Sequence, residues 1–355
     1  MRLTRRPRID VYVSTLDPQG IGIAKAILSA TPELRALGFE VILKQADFAS
    51  SIRDAVLFAA GGAHAVLYDG IGLGFRYGSL ANMFSAAMLN PRVCLIWHED
   101  EWVCQRLMQE RPRRGIVFNK LIRGRRLCHL VISQRAKRFC MSLGVPEDRI
   151  HVVGGCLSPP DDTARLTPVF PSDDRMRVVA VGSIQARKGT DLFCEAAIKA
   201  CKRVSHVDFY WIGRPLNFEP GFYDACLERV RQSGFEDRIK FCGFVERTDV
   251  YLAQCDLFVL PSRDEPLGLA ALEAMAFGKQ VIMFDVGGLA ELMGEYGVVL
   301  GEPSSDRLAD KIVELSTGNR EHLIREDARL KVLDYFSPRQ YALRLASALG
   351  SGLVF

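Results

Sequence analysis

The chain has 355 residues, enough for two domains of ordinary size, each with its own core. Its 48% hydrophobic and 25% charged residues exclude a disordered or fibrous protein, and a net charge of +4 does not by itself argue for nucleic acid. No apolar run reaches 18 residues, so no transmembrane helix is expected; the opening MRLTRRPRIDVYVST has no long apolar core or cleavage site, so no secretory signal is expected either.

Ile9 to Ser14 reads as a strand, followed by a turn at Pro18-Gln19-Gly20-Ile21-Gly22, a helix through Ala36, and a second strand at Glu40 to Leu43. This is the opening βαβ unit of a doubly wound domain. A nicotinamide-binding fingerprint needs a glycine or alanine at the sixth position from Gly20, and Lys25 stands there. An oxidoreductase is therefore disfavoured, and Gly20 and Gly22 serve either a ligand approach or a tight turn.

Ala65 to Tyr68 is the third strand and Val93 to Trp97 the fourth. The fourth delivers His98 to a strand end, where open α/β sheets place ligands, although a structural role is the alternative. Between Cys104 and Cys140, eleven lysines and arginines stand against the single acid Glu110. Such a segment suits an anionic membrane surface or an acidic acceptor, and a solvated helical face is the competing reading. Leu130 to Ile132 forms a strand whose Ser133 can cap the helix beginning at Gln134, and Ile150 to Val153 is the last strand of the first half. The Pro- and Asp-rich stretch 161–175 reads as a linker.

A second βαβ series opens at Val178 to Val181, and GSIQARKGT follows before a helix from Asp191. Arg187 and Lys188, at a glycine-bounded strand-to-helix turn, suit a diphosphate whose charge they offset as it leaves. Two further strands follow, and the second leads into Gly243-Phe244-Val245. The ten cysteines are scattered without a C-x-x-C pair, so free thiols in a reducing cytoplasm are expected and a metal site built on them is not.

The stretch DLFVLPSRDEPLGLAALEAMAFGKQVIMFD, from Asp256 to Asp285, reads strand, helix, strand. Its helix starts near Gly268, stops before the cap residue Gly278, and is apolar on every side except Glu273. A carboxylate on such a buried helix needs a partner. Glu265 lies just before the helix at the carboxyl end of the first strand, and amides around Leu267, Gly268 and Leu269 are placed to meet a ligand there. Taken singly, Glu265 could be a helix-dipole carboxylate and Glu273 a core ion pair.

Together, in P-S-x-x-E-P-x-G-L-x-x-L-E-A-M-A-x-G, they resemble the paired-glutamate motif of the retaining glycosyltransferases of family 4. The Lys188-Gly189 pair and the order strand, Ser133, basic helix, Gly144-Val145-Pro146, strand resemble that family as well. The resemblance implies an α/β, GT-B fold, with two Rossmann-like doubly wound domains facing a central cleft: residues 1–160 with a C-terminal helix in 337–355 on the acceptor side, and 176–336 binding the nucleotide sugar. It implies that Glu265 holds hydroxyls of the donor sugar, Glu273 the ribose, and Lys188 with Arg187 the diphosphate. His98 would reach the site of transfer, Gly20 and Gly22 would approach donor phosphate or acceptor, and Gly243 and Val245 would lie against the base.

The expected activity is metal-independent, cofactor-free, retaining transfer of a hexose from a nucleotide-diphosphate sugar to a glycan or lipid-linked acceptor, as in bacterial surface polysaccharide synthesis. The expected location is cytoplasmic, peripheral to the inner face of the membrane through residues 104–140. One departure stands out. Many family members carry an arginine where this chain has Ser183, so a non-catalytic binder of anionic surfaces or nucleic acid on a degenerate scaffold stays open. So does a GT-B epimerase or phosphorylase.

Overall fold

The computed structural model describes residues 8–13, 23–45, 65–69, 93–97, 109, 120, 122–123, 127–215, 219–317 and 320–351. The chain forms two compact units, Met1–Ser158 with Tyr335–Phe355, and Pro159–Asp334.

In the first unit the short apolar runs become strands β1 (Arg8–Val13), β2 (Glu40–Gln45), β3 (Ala65–Asp69), β4 (Val93–Trp97), β5 (Leu127–Val131) and β6 (Ile150–Val152). They pair in parallel in the order β2-β1-β3-β4-β5-β6, so the chain reverses direction across the sheet between β1 and β3. Helix α1 (Ile23–Ala36) follows β1, and α2 (Gln134–Ser142) follows β5. Ser133 caps α2 with its hydroxyl 3.1 Å from the Ala136 amide, satisfying one of the helix's orphan donors. The final helix of the chain, Pro338–Ser351, also lies in this unit, where its Tyr341 and Leu345 share a core with Ile27 and Leu34 of α1.

The second unit contains β7 (Met176–Val181), α3 (Thr190–Cys201), β8 (Val207–Ile212), α4 (Phe222–Ser233), β9 (Ile239–Gly243), α5 (Thr248–Gln254), β10 (Leu257–Leu260), α6 (Leu269–Ala276), β11 (Gln280–Met283), α7 (Gly287–Met293), β12 (Val298–Val299), α8 (Ser305–Ser316) and α9 (Glu326–Tyr335). All pairings are parallel, in the order β12-β11-β10-β7-β8-β9. Strands β7, β8, β10 and β11 are buried along almost their whole length, as parallel strands covered by helices on both faces should be. Phe193 of α3 meets Phe209 and Trp211 of β8 edge-on, with centroids at 6.0 and 5.3 Å, and anchors the core on one face.

Residues 161–175 belong to the second unit and pack on its helices and sheet. Phe170 lies 4.7 Å from the Tyr210 ring and 5.6 Å from Tyr251, and the Gln254 amide donates to the carbonyls of Ala164 and Thr167. The eight described cysteines are free thiols. Burial pushes those of Cys140, Cys156 and Cys255 up to about 12, which keeps them protonated and unreactive.

Candidate active site

The second unit's strand order reverses between β7 and β10, so the loops leaving the carboxyl ends of these neighbours flank the crevice where open α/β sheets bind ligands. The loop after β7 carries the cations. Its Gly182 carbonyl accepts from the indole of Trp211 at 2.9 Å, and its Ala186 amide donates to Glu219 at 2.8 Å. A 3₁₀ turn over Ala186–Lys188 ends at Gly189, whose φ of +71° opens α3. A Cβ on Gly189 would fall 1.8 Å from the Pro261 carbonyl oxygen, so only glycine lets the two loops come this close.

The loop after β10 carries the carboxylate. Glu265 is 5% exposed, and three donors converge on it. Lys188 Nζ stands 2.5 Å and Ser262 Oγ 3.0 Å from Oε2, while the Gly268 amide is 3.2 Å from Oε1. A buried carboxylate is tolerated when it is paired and its remaining lone pairs are satisfied, and all these partners serve that end. The Gly268 amide is thus already engaged by Glu265, and Leu267 is buried. Gly287 of α7 packs against the backbone of Glu265: its φ is +72°, and a Cβ there would sit 1.5 Å from the Glu265 carbonyl oxygen.

Arg187 donates to the Asp264 carbonyl at 3.2 Å, with Asp264 Oδ2 3.7 Å away. Ser183, at the position of the missing arginine, accepts a hydrogen bond from the Gln185 side-chain amide.

Glu273 corrects one expectation. Helix α6 is not buried on every side: Leu269, Ala270 and Glu273 form a half-buried face, at the spacing of one helical stripe, while Ala271, Leu272, Ala274, Met275 and Ala276 face the core. Glu273 therefore lies on the more open side of the helix, and the deeply buried carboxylate is Glu265. The helix ends as its glycine predicts. Gly278, at φ +75°, donates to Met275 and the Lys279 amide to Ala274, the pairing of a Schellman stop.

Gly243 closes β9 at φ +70° with open space where a Cβ would stand, and half-buried Val245 follows the exposed ring of Phe244, over which the Arg214 guanidinium lies at 5.6 Å. His98, Gly20 and Gly22 lie outside the described residues, as does most of the basic stretch before β5. Among the described residues no three His, Cys, Asp or Glu side chains gather to hold a metal ion.

Sequence reading singled out neither Ser262, placed three residues before Glu265, nor the pair formed by Arg263 and Asp191. Arg263 meets Asp191 through two parallel bonds of 2.7 Å.

Two doubly wound parallel sheets with the reversal-point site just described define a GT-B protein. Solved structures agree along nearly the whole chain. That of Anabaena Alr3699/HepE in complex with UDP and glucose superposes with a TM-score of 0.74 at 17% identity, covering 97% of this chain and 99% of that one. WaaG, a glycosyltransferase involved in lipopolysaccharide biosynthesis, gives 0.65 at 16% identity, covering 96% and 98%. The family described as glycosyl transferases group 1 matches residues 175–317, within the second unit, and that part of the chain is similar to it. Among curated relatives, the lipopolysaccharide core biosynthesis mannosyltransferase LpcC of Rhizobium leguminosarum bv. viciae is 34% identical over 204 residues, 56% of this chain and 57% of that protein. LpsB of Rhizobium meliloti (strain 1021), of the same description, is 33% identical over 144 residues, 37% and 40% of the two chains. The chain thus spans about half the length of the curated relatives it matches.

Proposed function

We propose that the protein transfers a hexose, with retention, from a nucleotide-diphosphate sugar to a glycan or lipid-linked acceptor in surface polysaccharide synthesis. The observation that carries this is the meeting of Lys188 and Glu265 at the strand-order reversal, where a cation and a carboxylate lie 2.5 Å apart between two closely packed loops. Lys188, with Arg187, offsets the charge that develops on the departing diphosphate. Glu265 holds sugar hydroxyls, and Glu273, on the half-buried face of α6, holds the ribose. In the transfer the bond from the anomeric carbon to the diphosphate oxygen breaks. The acceptor oxygen bonds that carbon on the same face, and its proton passes to a donor phosphate oxygen.

The complex of HepE with UDP and glucose and the core biosynthesis names of LpcC and LpsB support the donor class and the pathway. The basic stretch 104–140 would rest on acidic lipid at the inner face of the membrane, with Arg135 and Arg138 on the exposed side of α2. No described helix is long and apolar enough to cross a membrane.

A thermal-shift screen of uridine and guanosine diphosphate sugars tests the proposal. A specific donor should raise the unfolding temperature of the parent by several degrees, at about 100-fold excess over its Kd, and that of Glu273→Ala far less. If no donor shifts the parent, the reading fails; a shift without turnover on any acceptor points to the degenerate binder.

A further inference from the structure

We infer that Arg263 is a positioning residue which sets the register between the cation loop and the carboxylate loop; its value for catalysis rests on the transferase reading. Strands β7 and β10 pair only through Val178 with Leu257 and Val179 with Phe258. Beyond those pairs the relative height of the two loops depends on contacts the loops make themselves. Arg263 supplies most of them. Its amide donates to the Arg187 carbonyl at 2.9 Å, and its guanidinium donates to the Ala186 carbonyl at 2.7 Å and to both oxygens of Asp191 at 2.7 Å.

One side chain thereby grips both ends of the segment that carries Arg187 and Lys188: the start of the 3₁₀ turn at Ala186 and the first turn of α3 at Asp191. The grip requires arginine, because the planar fork bonds the carboxylate in two places and still has a donor for the carbonyl. Lysine offers a point charge on a flexible stem. The side chains of Arg263 and Asp191 are 38% and 33% exposed, and pairs of that exposure add little to folding stability. A pair so placed matters through geometry, since Lys188 must reach a diphosphate while Glu265 holds its sugar, and small misplacements of reacting groups are costly.

The test combines kinetics with backbone hydrogen exchange on the full chain, for the parent, Arg263→Ala and Arg263→Lys. In Arg263→Ala the amides of Lys188, Gly189 and Gly268 should exchange about 10-fold faster while those of β8 do not change, and kcat should fall at least about 10-fold with a smaller change in KM. Arg263→Lys should recover part of both effects, and unfolding temperatures should differ by only a few degrees. Unchanged exchange at the three amides overturns the inference whether or not the protein is a transferase. Faster exchange with an unaltered kcat overturns the catalytic half of it. A parent that turns over no nucleotide sugar sinks the proposed function and leaves the exchange difference between parent and Arg263→Ala to decide the register.

Discussion

Lys188 Nζ and Ser262 Oγ meet the same oxygen of Glu265, at 2.5 and 3.0 Å, so the ammonium and the hydroxyl share one lone-pair edge of a buried carboxylate. The two donors differ in freedom. Ser262 is fully buried and three residues from Glu265 on the same loop, whereas the Lys188 side chain is 20% exposed and comes from the other loop. On the proposed function, a diphosphate arriving at this site would draw on Lys188 while Ser262 and the Gly268 amide still hold Glu265.

If the proposed function holds, Lys188→Ala should abolish transfer, with a loss of about 10²-fold or more in kcat, since on that reading it removes a charge aimed at the leaving diphosphate. Arg187→Ala should cost less, because that guanidinium already spends a hydrogen bond on the Asp264 carbonyl. Steady-state kinetics of the two variants checks the order. Equal losses would make Arg187 a full partner that compensates for Ser183.

Ser262→Ala leaves Glu265 with one fewer donor and removes no charge. A buried carboxylate deprived of one hydrogen bond loses about 1–3 kcal/mol of stabilisation. The variant should unfold at lower denaturant and transfer more slowly, with KM for the donor raised by the looser carboxylate. Ser262→Thr, which keeps the hydroxyl, should recover part of the rate if the added methyl group is accommodated.

The strands were legible where a parallel strand is buried on both faces, as β7, β8, β10 and β11 are, which turns it into a short apolar run: Leu257 to Leu260 is β10 residue for residue. The next strand begins one residue earlier than its apolar run, at Gln280, whose side chain is satisfied by Arg325 at 3.2 Å and by the Val281 carbonyl. The composition of α6 misled for a physical reason. Leu269 and Ala270 are as apolar as their neighbours, and periodicity does not tell an apolar residue that packs in the core from one on a half-buried face. The pairings of Lys188 with Glu265 and Arg263 with Asp191 span 77 and 72 residues, far beyond the three- and four-residue spacings that local rules read. Motif resemblance puts Lys188 and Glu265 on the same ligand, whereas Arg263 falls on an unspecified position of P-S-x-x-E.

Gly287→Ala should damage the site from a distance in sequence. Its Cβ would stand 1.5 Å from the Glu265 carbonyl oxygen, and its φ of +72° is unfavourable for any side chain, so the Glu265 loop or α7 must move. The backbone strain alone costs about 1–3 kcal/mol. Activity should fall with stability, and the amide of Gly288, which donates to the Pro266 carbonyl at 3.0 Å, should lose its protection from exchange. A stable, active Gly287→Ala protein would mean that the loop has slack which this close approach excludes.

His129 gives the first unit a pH dependence of its own. The imidazole is fully buried on β5, with Nε2 2.9 Å from the Ile122 carbonyl. Burial, opposed by that hydrogen bond and aided by the positive charges of Arg149 and His151, lowers its pKa from the ordinary 6.5 to about 4. Below pH 6.5 the unfolded chain takes up a proton that the folded chain refuses. The contribution to stability is therefore fully present above that pH and is lost as the pH falls towards 4, amounting to about 3 kcal/mol. Urea unfolding of the parent at pH 7 and pH 4.5, set beside the same pair of measurements on His129→Gln, isolates the effect. The parent should lose more stability than the variant over this interval, and equal losses would mean that His129 takes up its proton without unfolding.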